Sequence, residues 1–211
     1  MCSSSQARWV ADTPMAIVVR ADSPIRDAAD MVARARAKPG GISYGSSVNG
    51  STTHLAWLLL QMRGALEFLH VPYRGAGQAV NGLYTGEIDV YMGDLGLLLP
   101  HVREGKFRLL AVTPETRVPL VPEAPTVAEV IPGYAMSIWY MLGGPRGTPP
   151  EVAERLVAEI APLRAGSVLA TRIAEGGGAL LVTGPAPLAE RIKAEAALWQ
   201  EVLARAGIKP E

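Results

Sequence analysis

The residues best suited to bind a small molecule form a loop rich in glycine and hydroxyl groups, Gly45 to His54. Glycine lets the backbone approach a ligand closely, and serine and threonine hydroxyls add donors that can rotate. Helical periodicity follows the loop, so free N–H groups of a first helical turn would favour an anion there. An ordinary helix N-cap explains the same residue types. The candidate ligand-binding residues in this loop are Ser46, Ser47, Asn49, Gly50, Ser51 and Thr52.

A second loop, Pro72 to Gly77, combines a tyrosine, an arginine and two glycines before another helical pattern. It lacks the third glycine of a G-x-G-x-x-G phosphate loop, because Val80 stands there, and it lacks the lysine of a P-loop. Arg74 could pair with a carboxylate, although a solvated surface charge explains it equally simply. The candidate ligand-binding residues here are Tyr73, Gly75, Ala76 and Gly77.

The third loop, Met92-Gly93-Asp94-Leu95, contributes one candidate, Asp94. Its carboxylate could orient the donors of the other loops, or meet the ammonium group of an amino-acid ligand. A simple N-cap for the following helix explains the same residue.

Catalytic and metal chemistry are weakly supported. Gly45-Ser46-Ser47-Val48-Asn49 does not match the G-x-S-x-G elbow of hydrolases. The three histidines, His54, His70 and His101, have no metal-ligand spacing. We therefore predict no catalytic residue, no metal site and no cofactor. A hydrolase that uses His54 stays open as an alternative.

These loops lie within an alternation of short apolar runs and helical patterns that predicts an α/β fold. Ligands of such sheets bind beyond the carboxyl ends of strands, where helices begin. We predict a helix start at Ser23-Pro24, an N-cap at Asp94, and a capping box with a proline helix start at Thr148-Pro149-Pro150-Glu151. The side chains predicted to face inward on two helices are Leu55, Leu58, Leu59 and Met62, and Val80, Leu83 and Tyr84.

Composition excludes several classes of protein. Lys plus Arg and Asp plus Glu each total 20 in 211 residues, and no basic run appears, so nucleic-acid binding is not expected. The apolar run Leu95 to Leu99 is far too short to span a bilayer. Met1 to Gln6 show no signal-peptide pattern, and the single Cys2 cannot form an intramolecular disulfide.

An ordered set of short segments resembles the receptors of tripartite tricarboxylate transporters, also called Bug proteins. The segments are Lys38-Pro39-Gly40, Tyr44-Gly45-Ser46-Ser47, Asn49-Gly50-Ser51, His54-Leu55-Ala56, Val71-Pro72-Tyr73-Arg74-Gly75, Gly86-Glu87-Ile88-Asp89-Val90, Leu99-Pro100-His101-Val102, Gly105-Lys106, Leu110-Ala111-Val112-Thr113, Pro125-Thr126-Val127-Ala128-Glu129, Gly144-Pro145, Gly147-Thr148-Pro149 and Ala206-Gly207-Ile208.

The resemblance implies a two-lobe periplasmic-binding-protein fold of type II, in which a small carboxylate binds between lobes that close by a hinge. It also implies a periplasmic location, delivery of the ligand to a membrane permease, and no enzymatic activity. In the family, loops matching Ser46 to Thr53 and Tyr73 to Gly77 supply backbone and hydroxyl donors from the second lobe.

The sequence departs from this family at its front, where a signal peptide and most of the first lobe are expected. We therefore expect residues 1–10 to be a segment near the hinge, 11–136 a complete second lobe, and 137–211 the returning part of an incomplete first lobe. Apolar stripes on the C-terminal helices would then be uncovered, which favours self-association or instability. A ligand-sensing or interaction module that uses the same lobe without transport is the alternative function.

Overall fold

The computed structural model describes residues 7–145 and 147–207 of the chain. Their contacts divide into two compact units. The larger unit is Pro14–Ser137, and the smaller joins the described residues before Pro14 to those from Ile138 onward. The predictions made for Met1 to Gln6, including Cys2, lie outside the described residues. The assignment of the two units to receptor lobes stays a prediction.

The larger unit is built on a mixed five-strand path. Strand β1 (Arg8–Arg20) enters this unit at Pro14, and β2 (Ser43–Ser46), β3 (Leu69–Pro72), β4 (Val90–Asp94) and β5 (Phe107–Val112) follow. Their spatial order is β3-β2-β4-β1-β5. Strand β2 runs parallel to β3 and β4, whereas β1 is antiparallel to β4 and β5. The central residues Met15 to Val19 of β1 are completely buried, as a continuous apolar run predicts.

Four helices connect these strands: α1 (Ala28–Ala37), α2 (Thr52–Gly64), α3 (Ala76–Thr85) and α4 (Leu95–Arg103). The predicted start of α1 at Ser23-Pro24 is wrong. The N-cap is Asp27, whose carboxylate accepts the N–H of Asp30 at 2.7 Å. The Ser23 hydroxyl instead accepts the N–H of Ile25 at 3.2 Å, which closes a local turn before the helix.

The buried face of α2 also differs from the predicted one. Leu59 is buried as predicted, but Leu55, Leu58 and Met62 are only partly buried, while Trp57 and Leu60 are completely buried. The large Trp57 ring packs between Tyr44 and Phe68, with ring centroids 4.8 and 5.0 Å away. These contacts determine which face of α2 is buried. On α3, Val80 and Leu83 are buried as predicted.

The prediction that Tyr84 faces inward is wrong. Its side chain is 38% exposed, and its hydroxyl is hydrogen-bonded to Nδ1 of His101 at 2.8 Å. The phenol therefore obtains a polar partner at the surface that the core would not provide.

A buried threonine ties β1 to the segment after β5. The Thr113 hydroxyl accepts the N–H of Met15 at 3.1 Å and donates to its carbonyl at 3.2 Å, and both residues are completely buried. We expect Thr113→Val to lower the free energy of unfolding by about 1–3 kcal/mol, because it leaves a buried N–H without an acceptor. Urea denaturation measures this loss. Thr113→Ser, which keeps the hydroxyl, should lose clearly less, and equal losses would contradict the account.

The smaller unit contains β6 (Ser137–Leu142, apart from its first residue), α5 (Pro150–Ile160), α6 (Val168–Glu175), β7 (Ala179–Leu180) and α7 (Pro185–Arg205). Both β6 and β7 pair with β1, and Ala11 lies opposite Leu180. Helix α5 begins with a proline, as predicted, but that proline is Pro150, one residue later than the predicted capping box implies. The predicted capping box is wrong: the N-cap is Pro149 without a side-chain bond, and the Thr148 hydroxyl donates to the Pro145 carbonyl at 2.8 Å.

Arg191 of α7 organises the polar interior of this smaller unit. Its guanidinium lies 4.5 Å from the ring centroid of Trp9 and 5.6 Å from that of Trp139. It also pairs with Asp12 at 2.6 Å and with Glu195 at 2.7 Å. Because these groups are about three-quarters or more buried, removing one partner would leave a largely buried charge unpaired, which is strongly destabilising.

Apolar side chains of α5 and α6 remain exposed, as predicted for the C-terminal helices. For α7 the prediction is wrong at Leu188 and Val202, which are buried. Val152 and Leu156 are 43% and 45% exposed, and Val168 is 78% exposed. Self-association through them stays a prediction. Within the described ranges, no helix is both long enough and apolar enough to cross a membrane.

Candidate functional site

The parallel pairing of β2 with β3 and β4 brings the three candidate loops to one edge of the sheet. Each loop follows the carboxyl end of its strand, and parallel strands share that edge. Helices α2, α3 and α4 begin there, at Thr52, Ala76 and Leu95. The predicted strand–loop–helix arrangement is therefore present, and three positive helix ends meet at one edge.

Side chains of α2 hold the first loop from within. Ser51 is the N-cap and its hydroxyl accepts the N–H of His54, while Thr53 Oγ1 accepts the N–H of Ser47 at 2.9 Å. Nδ1 of His54 accepts the N–H of Gly50 at 3.0 Å. Gly50 has a φ of 74°, a conformation that favours glycine. The backbone donors of Ser47 and Gly50 are thus already bonded inside the loop.

Different parts of the first loop face outward and inward. Asn49, Gly50 and Thr52 are exposed, whereas Ser46 is completely buried and Ser47 is partly buried. The side chains of Asn49 and Thr52 are therefore polar groups of this loop that are open to solvent. The N-cap interpretation holds for Ser51, so the loop combines a cap with exposed donors.

The second loop leaves a helix end without a side-chain cap. Gly75 is the N-cap of α3 and makes no side-chain bond, so the first N–H groups of the helix lack intrahelical acceptors. A Cβ added at Gly75 or Gly77 would meet nothing within 4 Å, which shows open space above the backbone. Arg74 is exposed, and its N–H donates to Gln78 Oε1 at 3.2 Å. This helix end suits a carboxylate.

The side chain of Tyr73 turns away from this loop. Its hydroxyl lies against Gly82 in the later part of α3, and burial together with Glu87 raises the pKa of the phenol to about 12. The N–H of Tyr73 donates to the carbonyl of Ser46 at 3.0 Å, which links the first two loops. Tyr73 therefore shapes the edge through its backbone, and its partly buried ring packs against the core of the larger unit.

Asp94 caps α4, as predicted. Its Oδ1 accepts the N–H of Leu97 at 3.2 Å. Beneath it lies Tyr91, which is completely buried and whose hydroxyl has no hydrogen-bond partner with good geometry among the described residues. Burial raises the pKa of this phenol, and Ser47 and Asp94 are its polar neighbours. Sequence reasoning missed Tyr91, because a strand pattern does not show where a ring points.

Two stacked imidazoles lie directly under the first loop. The rings of His54 and His70 are 4.2 Å apart between centroids and nearly parallel, at 8°. Nε2 of His70 is hydrogen-bonded to the Ser46 hydroxyl at 2.7 Å, and the Tyr44 ring stacks on His70 at 4.8 Å. The sequence raised His54 as a possible hydrolase residue and did not predict this stack. Among the described residues, no three His, Cys, Asp or Glu side chains group as metal ligands.

We expect the larger unit to lose stability on mild acidification. Burial lowers the pKa of both imidazoles, that of His70 from 6.5 to about 4 with a further contribution from His54. Between these values the unfolded chain binds more protons, so the free energy of unfolding falls as the pH drops from about 6.5 towards 4. The loss should reach about 1–2 kcal/mol, less than the full shift because His70 is partly exposed.

Urea denaturation at pH 7 and pH 5 measures this effect. A His70→Asn variant should be less stable at pH 7 but should show a flatter pH dependence. If the wild-type and variant profiles run parallel, the imidazole pair does not control the acid sensitivity.

The sequence profile described as tripartite tricarboxylate transporter family receptor (TctC) matches residues 5–171. A protein from the tcbD-tcbE intergenic region of Pseudomonas sp. strain P51 is 36% identical over 195 residues, which cover 92% of this chain and 58% of that protein. The chain spans about three-fifths of the length of this relative and of BugT from Bordetella pertussis.

Solved structures extend the similarity to the fold. The R. palustris protein Rpa4515 with adipate has a TM-score of 0.86 and 31% identity, covering 97% of this chain and 69% of that one. MatC from Rhodopseudomonas palustris with bound malate has a TM-score of 0.82 and 25% identity, covering 93% and 68%.

These matches confirm the predicted fold class. Their chains have the two-lobe fold of periplasmic binding proteins, built from mixed sheets and helices, and family members are receptors for solutes. With the profile matching most of its length, the chain belongs to the tripartite tricarboxylate transporter receptor family, which includes the Bug proteins.

Proposed function

We propose that this chain provides the ligand-binding part of an extracytoplasmic receptor that captures a small organic carboxylate for a tripartite transporter. The observation that carries the proposal is the meeting of three loops and three helix N-termini at one sheet edge. One of those helix ends, that of α3, has no side-chain cap. Uncapped N–H groups and positive helix ends favour an anion without requiring a positive net charge.

The ligand class follows from the family and the loop chemistry together. Two similar proteins hold adipate and malate, which are both dicarboxylic acids. We infer that one carboxylate of the ligand accepts the N–H groups of Ala76 and Gly77 and that Asn49 and Thr52 donate from the first loop. Ser46, Ser47, Gly50 and Ser51 support that loop, and Asp94 orients the third turn. Gly75 leaves space for close approach.

The partner and location of the whole protein follow from the same family assignment. We infer delivery of the bound acid to a membrane permease, in the periplasm, as the family description implies.

No catalytic role is proposed for His54, since its Nδ1 is occupied by the Gly50 N–H. Self-association through the exposed apolar side chains of α5 and α6 is part of this proposal and is tested by the concentration dependence of sedimentation.

Thermal unfolding with a panel of acids tests the proposed ligand class. The panel contains adipate, malate, citrate, glutamate and benzoate, with the diamide of adipic acid as the uncharged control. At about 100 times its dissociation constant, a ligand adds roughly 2.7 kcal/mol to the free energy of unfolding. We expect one class of acid to raise the midpoint and the diamide to leave it unchanged. A cooperative transition that no acid moves would refute the proposal.

A further inference from the structure

The hydrogen bonds of the first loop converge on the two stacked imidazoles. Gly50 donates its N–H to Nδ1 of His54, on α2, at 3.0 Å. The Ser46 hydroxyl is bonded to Nε2 of His70, on β3, at 2.7 Å. The two stacked rings thus contact both the beginning and the exposed turn of the loop. Their centroids are 4.2 Å apart, so the rings also contact each other.

We propose that His54 and His70 are positioning residues that fix the shape of the Ser46–Ser51 loop, and that carboxylate binding at this loop requires both imidazoles to be neutral. The second clause rests on the proposed function. The first clause stands on the geometry of the loop alone.

The bond from Gly50 defines the protonation state that the loop requires. Nδ1 of His54 accepts an N–H, so this nitrogen must carry a free lone pair and the ring proton must lie on Nε2. Protonation at Nδ1 would place an N–H against the N–H of Gly50. The loop would then have to move, because two donors cannot face each other at 3.0 Å.

Burial disfavours a positive charge on either ring of the pair. His54 is 6% exposed, and its ring faces His70; the Tyr44 phenol on β2 is a further titratable group packed against His70. Burial lowers the pKa of both imidazoles, and burial raises that of the Tyr44 phenol, so that ring is neutral too. Two parallel imidazolium rings at 4.2 Å would repel each other strongly.

A merely structural role for the histidines makes different predictions. If His54 only fills space, phenylalanine should replace it without affecting the loop, since the aromatic contact with His70 is kept. If its acceptor nitrogen holds Gly50, glutamine should replace it better than phenylalanine. A glutamine also does not titrate, so it removes the pH dependence while it keeps an acceptor.

The experiment combines one readout without ligand and one with it. Long-range ¹H–¹⁵N spectra at pH 7 report the tautomer of each of the three histidines. Calorimetric titrations with adipate or malate, whichever the wild-type chain binds, are repeated at pH 7 and pH 5 for His54→Phe and His54→Gln. His101→Gln, on α4 beside Tyr84, is the matched control. Comparing variants at the same pH cancels the protonation of the acid itself.

We expect His54 in the Nε2–H tautomer, and affinity about tenfold lower in His54→Phe at pH 7. The wild-type chain and His101→Gln should lose affinity at pH 5 relative to His54→Gln. An Nδ1–H tautomer of His54, or equal affinities of the phenylalanine variant and the wild-type chain, would overturn the proposal. If no acid binds the wild-type chain, the proposed function fails and with it the binding clause, while the tautomer still decides whether His54 holds the loop.

Discussion

Replacing Trp57 with alanine is expected to lower the free energy of unfolding by about 3–5 kcal/mol. The indole is completely buried and lies between Tyr44 and Phe68, with ring centroids 4.8 and 5.0 Å away. Alanine would leave a large cavity between α2 and the sheet, and the surrounding rings could collapse into it only partly. Since native proteins are stable by only about 5–15 kcal/mol, this loss is a large fraction of the total stability.

Trp57→Phe is the matched control for this prediction. The indole Nε1 has no hydrogen-bond partner among the described residues, so removing it costs no bond. The phenylalanine ring keeps most of the contact with Tyr44. Urea denaturation should therefore show a clearly smaller loss for phenylalanine than for alanine. Similar small losses for both variants would mean that Trp57 does not carry the packing of α2.

Asn49→Asp is expected to weaken carboxylate binding by at least about tenfold, because it places a negative charge beside an anionic ligand. Asn49 is exposed in the first loop, near the N-terminus of α2. That helix end favours a negative side chain, so the same substitution should not lower the free energy of unfolding. Affinity and stability therefore change independently, which separates a binding effect from misfolding. Calorimetric titration and thermal unfolding of the variant measure the two quantities.

Asn81→Asp provides the control for charge. It makes the same substitution within another Val-Asn-Gly sequence, at an exposed position in the interior of α3. We expect it to weaken binding clearly less than Asn49→Asp does, since Asn81 is exposed to solvent and lies a full helical turn beyond Gly77. Equal weakening by both variants would point to a general effect of net charge and would contradict the placement of the ligand at the first loop.

The sequence predicted the alternation of strands and helices in this fold, but it did not predict the order of the strands in the sheet. Buried apolar runs such as Met15 to Val19 identify strands, and the Asp94 cap identifies the start of α4, because both depend on adjacent residues. The helix starts at Ser23 and Thr148 were predicted wrongly for a physical reason. Each hydroxyl bonds a nearby backbone group instead, and local pattern alone does not decide between those two bonds.

The candidate site shows the same limit. Residue types located the loops, and the capping role of Ser51 was among the open alternatives. The bonds from Ser47 to Thr53 and from Ser46 to His70 depend on tertiary placement, so the sequence could not show them. The inward rotation of the Tyr73 phenol likewise depends on space above Gly82. His70 lies near the loop because β2 pairs parallel to β3, with Tyr44 opposite His70 and Ser46 opposite Pro72.

The most direct test of the account is a calorimetric titration of the wild-type chain with adipate and with malate at neutral pH. We predict saturable binding of at least one of these acids, with a stoichiometry of one, and weaker binding to Asn49→Asp. Absence of saturable heat with either acid at millimolar concentration, for a chain that unfolds cooperatively, would contradict the claim that the three loops of the larger unit form a carboxylate site.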